Sequence, residues 1–196
     1  MDFVFPNRQS HRLKSHNYWH GWYFVTICTK EFTNYFGKVV GWKVILNKIG
    51  KIVYSEIGDM VYHRDCVYID EFVVMPNHIH MIIVIDGDGG TDVPLEHPLW
   101  SDVSTKRPYG NPESSNPHQY YSQISPQSKS LGNIIKLFKS YTSKQIHQLW
   151  YIWFEWHNNY HDRIIRDQNA LHKIRQYIHN NPNNRHRDTK NHGESP

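Results

Sequence analysis

The stretch "VVMPNHIHMIIVI", residues 73–85, constrains the fold more than any other part of the chain. It is nearly all apolar and therefore has to be buried. Its interruptions are a Pro-Asn turn and two histidines one residue apart. "CVYIDEFVVMP" (66–76) and "HIHMIIVID" (78–86) read as two strands joined by the Met-Pro-Asn turn, so a hairpin forms the centre against which the rest must pack. On a strand, residues i and i+2 share a face. His78 and His80 therefore project side by side, and Ile79 points the other way.

The remaining chain supplies the cover. "WYFVTICT" (22–29), aromatic and β-branched, reads as a strand. "YFGKVVGWKVILN" (35–47) reads as a short hairpin with glycines at turns or bulges. In residues 48–62, Ile49, Ile52, Val53, Ile57, Met60 and Val61 make one helical stripe, although Gly50 and Gly58 weaken it. A second helix spans 131–150, with Leu131, Ile134, Ile135, Phe138, Tyr141, Ile146 and Leu149 at helical spacing. Lys136, Lys139 and Lys144 lie off that stripe. A short strand falls within 151–166. A last helix spans 167–181, with Asp167 as N-cap and Pro182 as stop. Leaving the small hairpin aside, the order is β-α-β-β-α-β plus one helix. This is an α+β fold of the ferredoxin-like, split βαβ type: an antiparallel sheet with helices on one face and an added C-terminal helix.

Residues 87–130 break this pattern. They are rich in Gly, Ser, Pro, Asp and Gln and read as a flexible insertion in a single domain covering 1–183, followed by a polar tail at 184–196. Lys plus Arg is 22 against 18 for Asp plus Glu, a mildly basic balance that permits a nucleic-acid partner without requiring one. Two cysteines, Cys28 and Cys66, do not make a disulfide scaffold. With no Cys-x-x-Cys, they also serve a structural zinc domain poorly. No signal region or membrane-length apolar run is present, so a soluble cytoplasmic protein is expected.

The histidine pair makes a two-ligand half-site for a divalent metal, since neutral imidazole binds Mn, Zn and Ni well. Two hydrogen-bonded histidines under a helix are the competing reading. A metal would need a third ligand. In the last helix Tyr177 and Asn181 are four apart and share a face, with Lys173 one turn earlier. Asn181 as ligand and Tyr177 as nucleophile would complete a usable centre. Tyr177 also borders the apolar stripe of Leu171, Ile174 and Ile178, which suits a tyrosine at the core edge, and Tyr160 is a rival nucleophile.

These residues resemble a known family. "FVVMPNHIHMIIVI" is similar to the HUH signature of single-tyrosine transposases, and more narrowly to the REP-associated tyrosine transposases, relatives of the insertion-sequence-200-like enzymes. "YFVTICTKEFTNYFG" (23–37), "LGNIIKLFKSYTSKQI" (131–146), "WHNNYHDRIIRD" (156–167) and "YIHNNP" (177–182) agree with it. The resemblance covers about residues 10–183 except the insertion. It implies a metal-dependent single-stranded DNA endonuclease and transposase that cuts and rejoins through a 5′-phosphotyrosine. It carries over His78 and His80 as metal ligands, Tyr177 as nucleophile and, by position, Asn181 as the residue completing the metal site. Mg²⁺ or Mn²⁺ is the implied ion, and hairpin DNA of the REP type the implied substrate. The lysines Lys136, Lys139 and Lys144, the arm residues Arg8, Arg12 and Lys14, and Lys173 are the expected DNA contacts. Monomer and homodimer both fit. A non-catalytic DNA-hairpin-binding protein on the same fold is the alternative.

Overall fold

A computed structural model describes residue 18 and residues 20–62, 66–86 and 130–182. The arm residues Arg8, Arg12 and Lys14, nearly all of the insertion and the polar tail lie outside the described residues. The elements are β1 (Gly21–Cys28), a ribbon of β2 (Gly37–Val40) and β3 (Lys43–Leu46), α1 (Lys48–Tyr62), β4 (Val67–Val74), β5 (His78–Ile85), α2 (Leu131–Gln148), β6 (His161–Ile165) and α3 (Gln168–Asn180). Four strands form an antiparallel sheet in the order β4-β5-β1-β6. With the β2–β3 ribbon set aside, the path is two interlocked split βαβ units, as the sequence leads one to expect.

The hairpin β4–β5 is where the apolar run puts it. All eight residues of β5 are buried, because this central strand is covered on both faces. Ile79, Met81, Ile83 and Ile85 join Tyr23, Val25 and Ile27 of β1 in a large core with α1 and α2. The alternate positions face the other way. There Ile82 meets Ile165 and the Leu171, Ile174 and Ile178 stripe of α3, with Trp22, Phe24 and Val73 at the margin. The added C-terminal helix thus covers the face opposite α1 and α2. Period-2 alternation on the strands and a single apolar stripe on α3 dictate this, since α3 has only one face to bury.

Two details refine the expected packing. Gly50 does not weaken α1 without reason: a Cβ there would sit 2.0 Å from the Phe36 carbonyl oxygen, so the close approach of the β2–β3 segment requires glycine. In α2 the core seat falls to Thr142 rather than Tyr141, and Leu149 is exposed. The Thr142 hydroxyl donates to Phe138 O at 2.8 Å and accepts from Trp156 Nε1 at 3.0 Å, which satisfies a polar group in a dry place.

Candidate active site between the sheet and the C-terminal helix

His78 and His80 stand side by side on the α3 face of β5, with ring centroids 4.6 Å apart, and both are buried. Their orientation is set by partners. Asn77 Nδ2 donates to Phe32 O at 3.0 Å, which turns Asn77 Oδ1 toward His78, where it lies 2.7 Å from Nδ1. A carbonyl oxygen can only accept, so Nδ1 of His78 carries a proton, and in the neutral ring Nε2 keeps the lone pair. Asn77 is itself held, because its backbone oxygen accepts from both the amide and the hydroxyl of Thr29. For His80, Thr26 Oγ1 of the neighbouring strand lies 2.8 Å from Nδ1. When Nδ1–H donates to that hydroxyl, Nε2 of His80 also keeps its lone pair.

α3 brings Tyr177 to this pair. Its hydroxyl lies 3.2 Å from His80 Nε2, across 97 residues of sequence, and its ring meets Phe24 edge-on at 5.9 Å. Phe24 in turn stacks on His80 at 5.4 Å. Tyr177 remains 39 % exposed and lines a cleft open to solvent. The rival tyrosine lies elsewhere: Tyr160 packs against the large core on the other side of the sheet, away from the histidines. Asn181 is completely buried at the C-cap of α3, on the helix face it shares with Tyr177.

The donor set suits a divalent ion. Two imidazole Nε2 atoms on one strand face, each ring fixed through Nδ1 by a neighbouring oxygen, form the arrangement in which histidines serve as ligands. Asn181 offers an amide oxygen on the helix that carries the phenol. Among the described residues no group of three His, Cys, Asp or Glu side chains could hold a metal, so any ion at this place needs an amide or substrate oxygen as well.

α3 is tied down by an ion pair that sequence reading did not single out. β4 carries an extra residue between Ile69 and Phe72, so Asp70 and Glu71 together face Ile82. There Arg175 of α3 binds Asp70 with both prongs of its guanidinium, at 2.8 and 2.6 Å. The carboxylate is fully buried, and hydrogen bonding to it raises the Arg175 pKa further. Spacing could not reveal this pair, because a bulge shifts the strand's phase.

The remaining expected contacts divide by face. Lys173 lines a cleft of about 390 Å³ beside Tyr177, with Phe24, Thr26, His161, Asp162, Arg163 and Ile174. Lys136 and Lys144 are exposed on α2, across the sheet from the histidines. Lys139, also on α2, is engaged structurally: its ammonium donates to the carbonyls of His157 at 2.7 Å and Asn159 at 3.1 Å. Burial pushes its pKa down to about 8. The structure therefore brings His78, His80, Tyr177 and Lys173 together and leaves the three α2 lysines on the other side. The supporting Thr26, Asn77 and Phe24 were within reach of sequence reasoning, since two of them alternate along β1 and the third opens the histidine motif.

No family model matches the chain. A solved structure of a REP-associated tyrosine transposase bound to a REP hairpin superposes with a TM-score of 0.46 at 16 % identity, covering 89 % of this chain and 73 % of that one. A candidate transposase from Deinococcus radiodurans R1 gives 0.36 at 14 %, covering 87 % and 97 %. Likenesses of this depth identify neither substrate nor reaction. The sequence relationship is firmer: an uncharacterized protein of Haemophilus influenzae (strain ATCC 51907 / DSM 11121 / KW20 / Rd) is 32 % identical over 179 residues, 90 % of this chain and 88 % of its own. With that identity spread over nearly the whole of both sequences, this chain belongs to the family of that Haemophilus influenzae protein.

Proposed function

We propose that this protein is a metal-dependent single-strand DNA endonuclease and transposase of the HUH type, with Tyr177 as its nucleophile. The observation that carries the reading is the 3.2 Å approach of the Tyr177 hydroxyl to His80 Nε2. Helix and strand meet at that atom although nothing in the packing of an apolar core asks for a phenol and two imidazoles. The choice of hairpin-forming DNA as substrate rests on the sequence resemblance.

In this mechanism the Tyr177 oxygen attacks a scissile phosphorus. A phosphorus–tyrosine bond forms, the bond to the 3′-oxygen breaks, and the phenol proton ends on the departing 3′-hydroxyl or in solvent. The products are a 5′-phosphotyrosine and a free 3′-hydroxyl. The bond energy stays in the adduct, so a 3′-hydroxyl of another strand can reverse the step without a nucleotide cofactor. His78 Nε2, His80 Nε2 and the Asn181 amide would hold Mg²⁺ or Mn²⁺. Such an ion supplies charge neutralisation at the phosphate and orientation of the phosphoryl group. Phe24 limits the swing of the Tyr177 ring, and Asn77 and Thr26 fix the two imidazoles. A free phenol ionises near 10, so positive charge beside the oxygen is needed at neutral pH. Lys173, lining the same cleft, contributes to it.

The test is incubation with labelled hairpin DNA and Mn²⁺, followed by denaturing gel electrophoresis. The reading expects an SDS-stable adduct that EDTA prevents and Tyr177→Phe abolishes. Tight hairpin binding without an adduct under any divalent ion would make this a DNA-binding protein instead.

A further inference from the structure

β6 is an edge strand: one side pairs with β1, and no strand of the described residues pairs with the other. Two clefts run along this edge and share Asp162 and Arg163. The one beside Tyr177 measures about 390 Å³. The second measures about 360 Å³ and continues toward the N-terminus of α3, between Tyr18, Arg166 and Ala170. Each is large enough to take a unit the size of a nucleotide. Each also combines an aromatic wall, Phe24 in the first and Tyr18 in the second, with exposed cations.

The cations are unspent. Among the described residues Arg163, Arg166 and Lys173 make no ion pair or hydrogen bond, whereas Arg175 is committed to Asp70 and Lys139 to two carbonyls. Of the two acids in the clefts, Asp167 uses its carboxylate to accept from Ala170 N at 2.8 Å as the helix cap, and Asp162 is half-buried and engaged within the protein. Exposed cations set against aromatic rings in two adjoining clefts suit a single strand of nucleic acid, whose phosphates need charge and whose unpaired bases need a flat apolar surface.

We propose that the groove along β6 holds the strand running to and from the scissile phosphate. Arg163 and Lys173 contact phosphates next to Tyr177, Arg166 contacts one farther along, and bases pack against Phe24 and Tyr18. The assignment rests on the nuclease reading for its orientation toward Tyr177. The groove runs from the histidine side of the sheet, at Phe24 and Tyr177, around the β6 edge to Tyr18, and leaves Lys136 and Lys144 of α2 outside it.

The test uses the full chain carrying Tyr177→Phe, which separates binding from chemistry, and a short fluorescein-labelled oligothymidylate followed by anisotropy over a range of salt. Arg163→Gln, Arg166→Gln and Lys173→Gln change surface positions and are each expected to weaken binding by about 3- to 10-fold. Each should also flatten the slope of log K against log salt by about 0.7, so that the triple variant loses about 2. Lys136→Gln with Lys144→Gln should leave affinity and slope as they were. An unchanged slope in the triple variant overturns the proposal, and so does an equal loss from the α2 pair. Adduct formation by wild-type protein, measured in parallel, separates the two failures. No adduct with a β6-dependent slope removes the nuclease reading and leaves the groove; an adduct with a β6-independent slope removes the groove alone.

Discussion

Asn77 shows how one side chain sets the chemistry of another. Its amide is oriented by the Phe32 carbonyl, and the orientation decides which nitrogen of His78 keeps a lone pair. Asn77→Ala should therefore weaken Mn²⁺ binding by about 10- to 100-fold, measured by isothermal titration, while His78 itself stays in place. Normal affinity in this variant would remove Asn77 from the site. Lys139 illustrates the opposite case, a cation drawn out of service by burial. It ionises at about 8 in the folded chain against 10.5 as its ordinary value. Between those values the unfolded chain binds more protons, so the contribution of Lys139 makes stability rise with pH from about 8 upward. Below about 8 both states are charged and this dependence vanishes. Urea unfolding midpoints across pH 7 to 10 should show the rise in wild type relative to Lys139→Met, in which it is lost. The lysine spacing on α2 was plain in the sequence, but the two carbonyls that claim Lys139 come from a loop that no periodicity announces.

Among the elements, α3 carries Tyr177, the proposed nucleophile, and is held by a short apolar stripe and one bidentate ion pair. Arg175→Met would leave the buried Asp70 carboxylate without its guanidinium, a loss of about 3–5 kcal/mol in unfolding free energy. Arg175→Lys keeps the charge but not the fork, so it should cost less and loosen the register of Tyr177 against His80. Chemical denaturation checks the first. The second is checked by ¹⁹F NMR of fluorotyrosine-labelled protein, in which the Tyr177 signal should shift as it does in His80→Ala. α1 depends on a different contact. Gly50→Ala would normally favour a helix, yet the Phe36 carbonyl occupies the space of the new methyl. The variant should lose about 1–3 kcal/mol by urea titration. Element type and approximate bounds were legible throughout, from the β4–β5 turn to the Asp167 cap, because each rests on local periodicity and local hydrogen bonds. The bulge at Asp70 was not, since an extra residue in a strand shows only against its partner. The reason for Gly50 was equally hidden, as the obstructing carbonyl belongs to another element.

Seen whole, the molecule divides its labour across one sheet. The larger core, with α1 and α2, supplies most of the buried apolar surface. The α3 face is thinner and spends two positions of the central strand on imidazoles. Alternation along β5 made the shared face of His78 and His80 readable from sequence, and helical spacing put Tyr177 with Asn181. Which side of the sheet α3 would cover was not readable, because only the strand register and the Ile82 to Ile178 contacts decide it. That choice of side unites the histidines with Tyr177 and separates them from Tyr160. Under the proposed reaction, the same choice makes Tyr177 the residue that carries the DNA. Protein reacted with hairpin DNA and Mn²⁺ can be digested with nuclease and trypsin and its peptides weighed. The account expects nucleotide mass on the peptide Gln176–Arg185, which contains Tyr177. Nucleotide mass on the peptide spanning residues 145–163, which contains Tyr160, would contradict it.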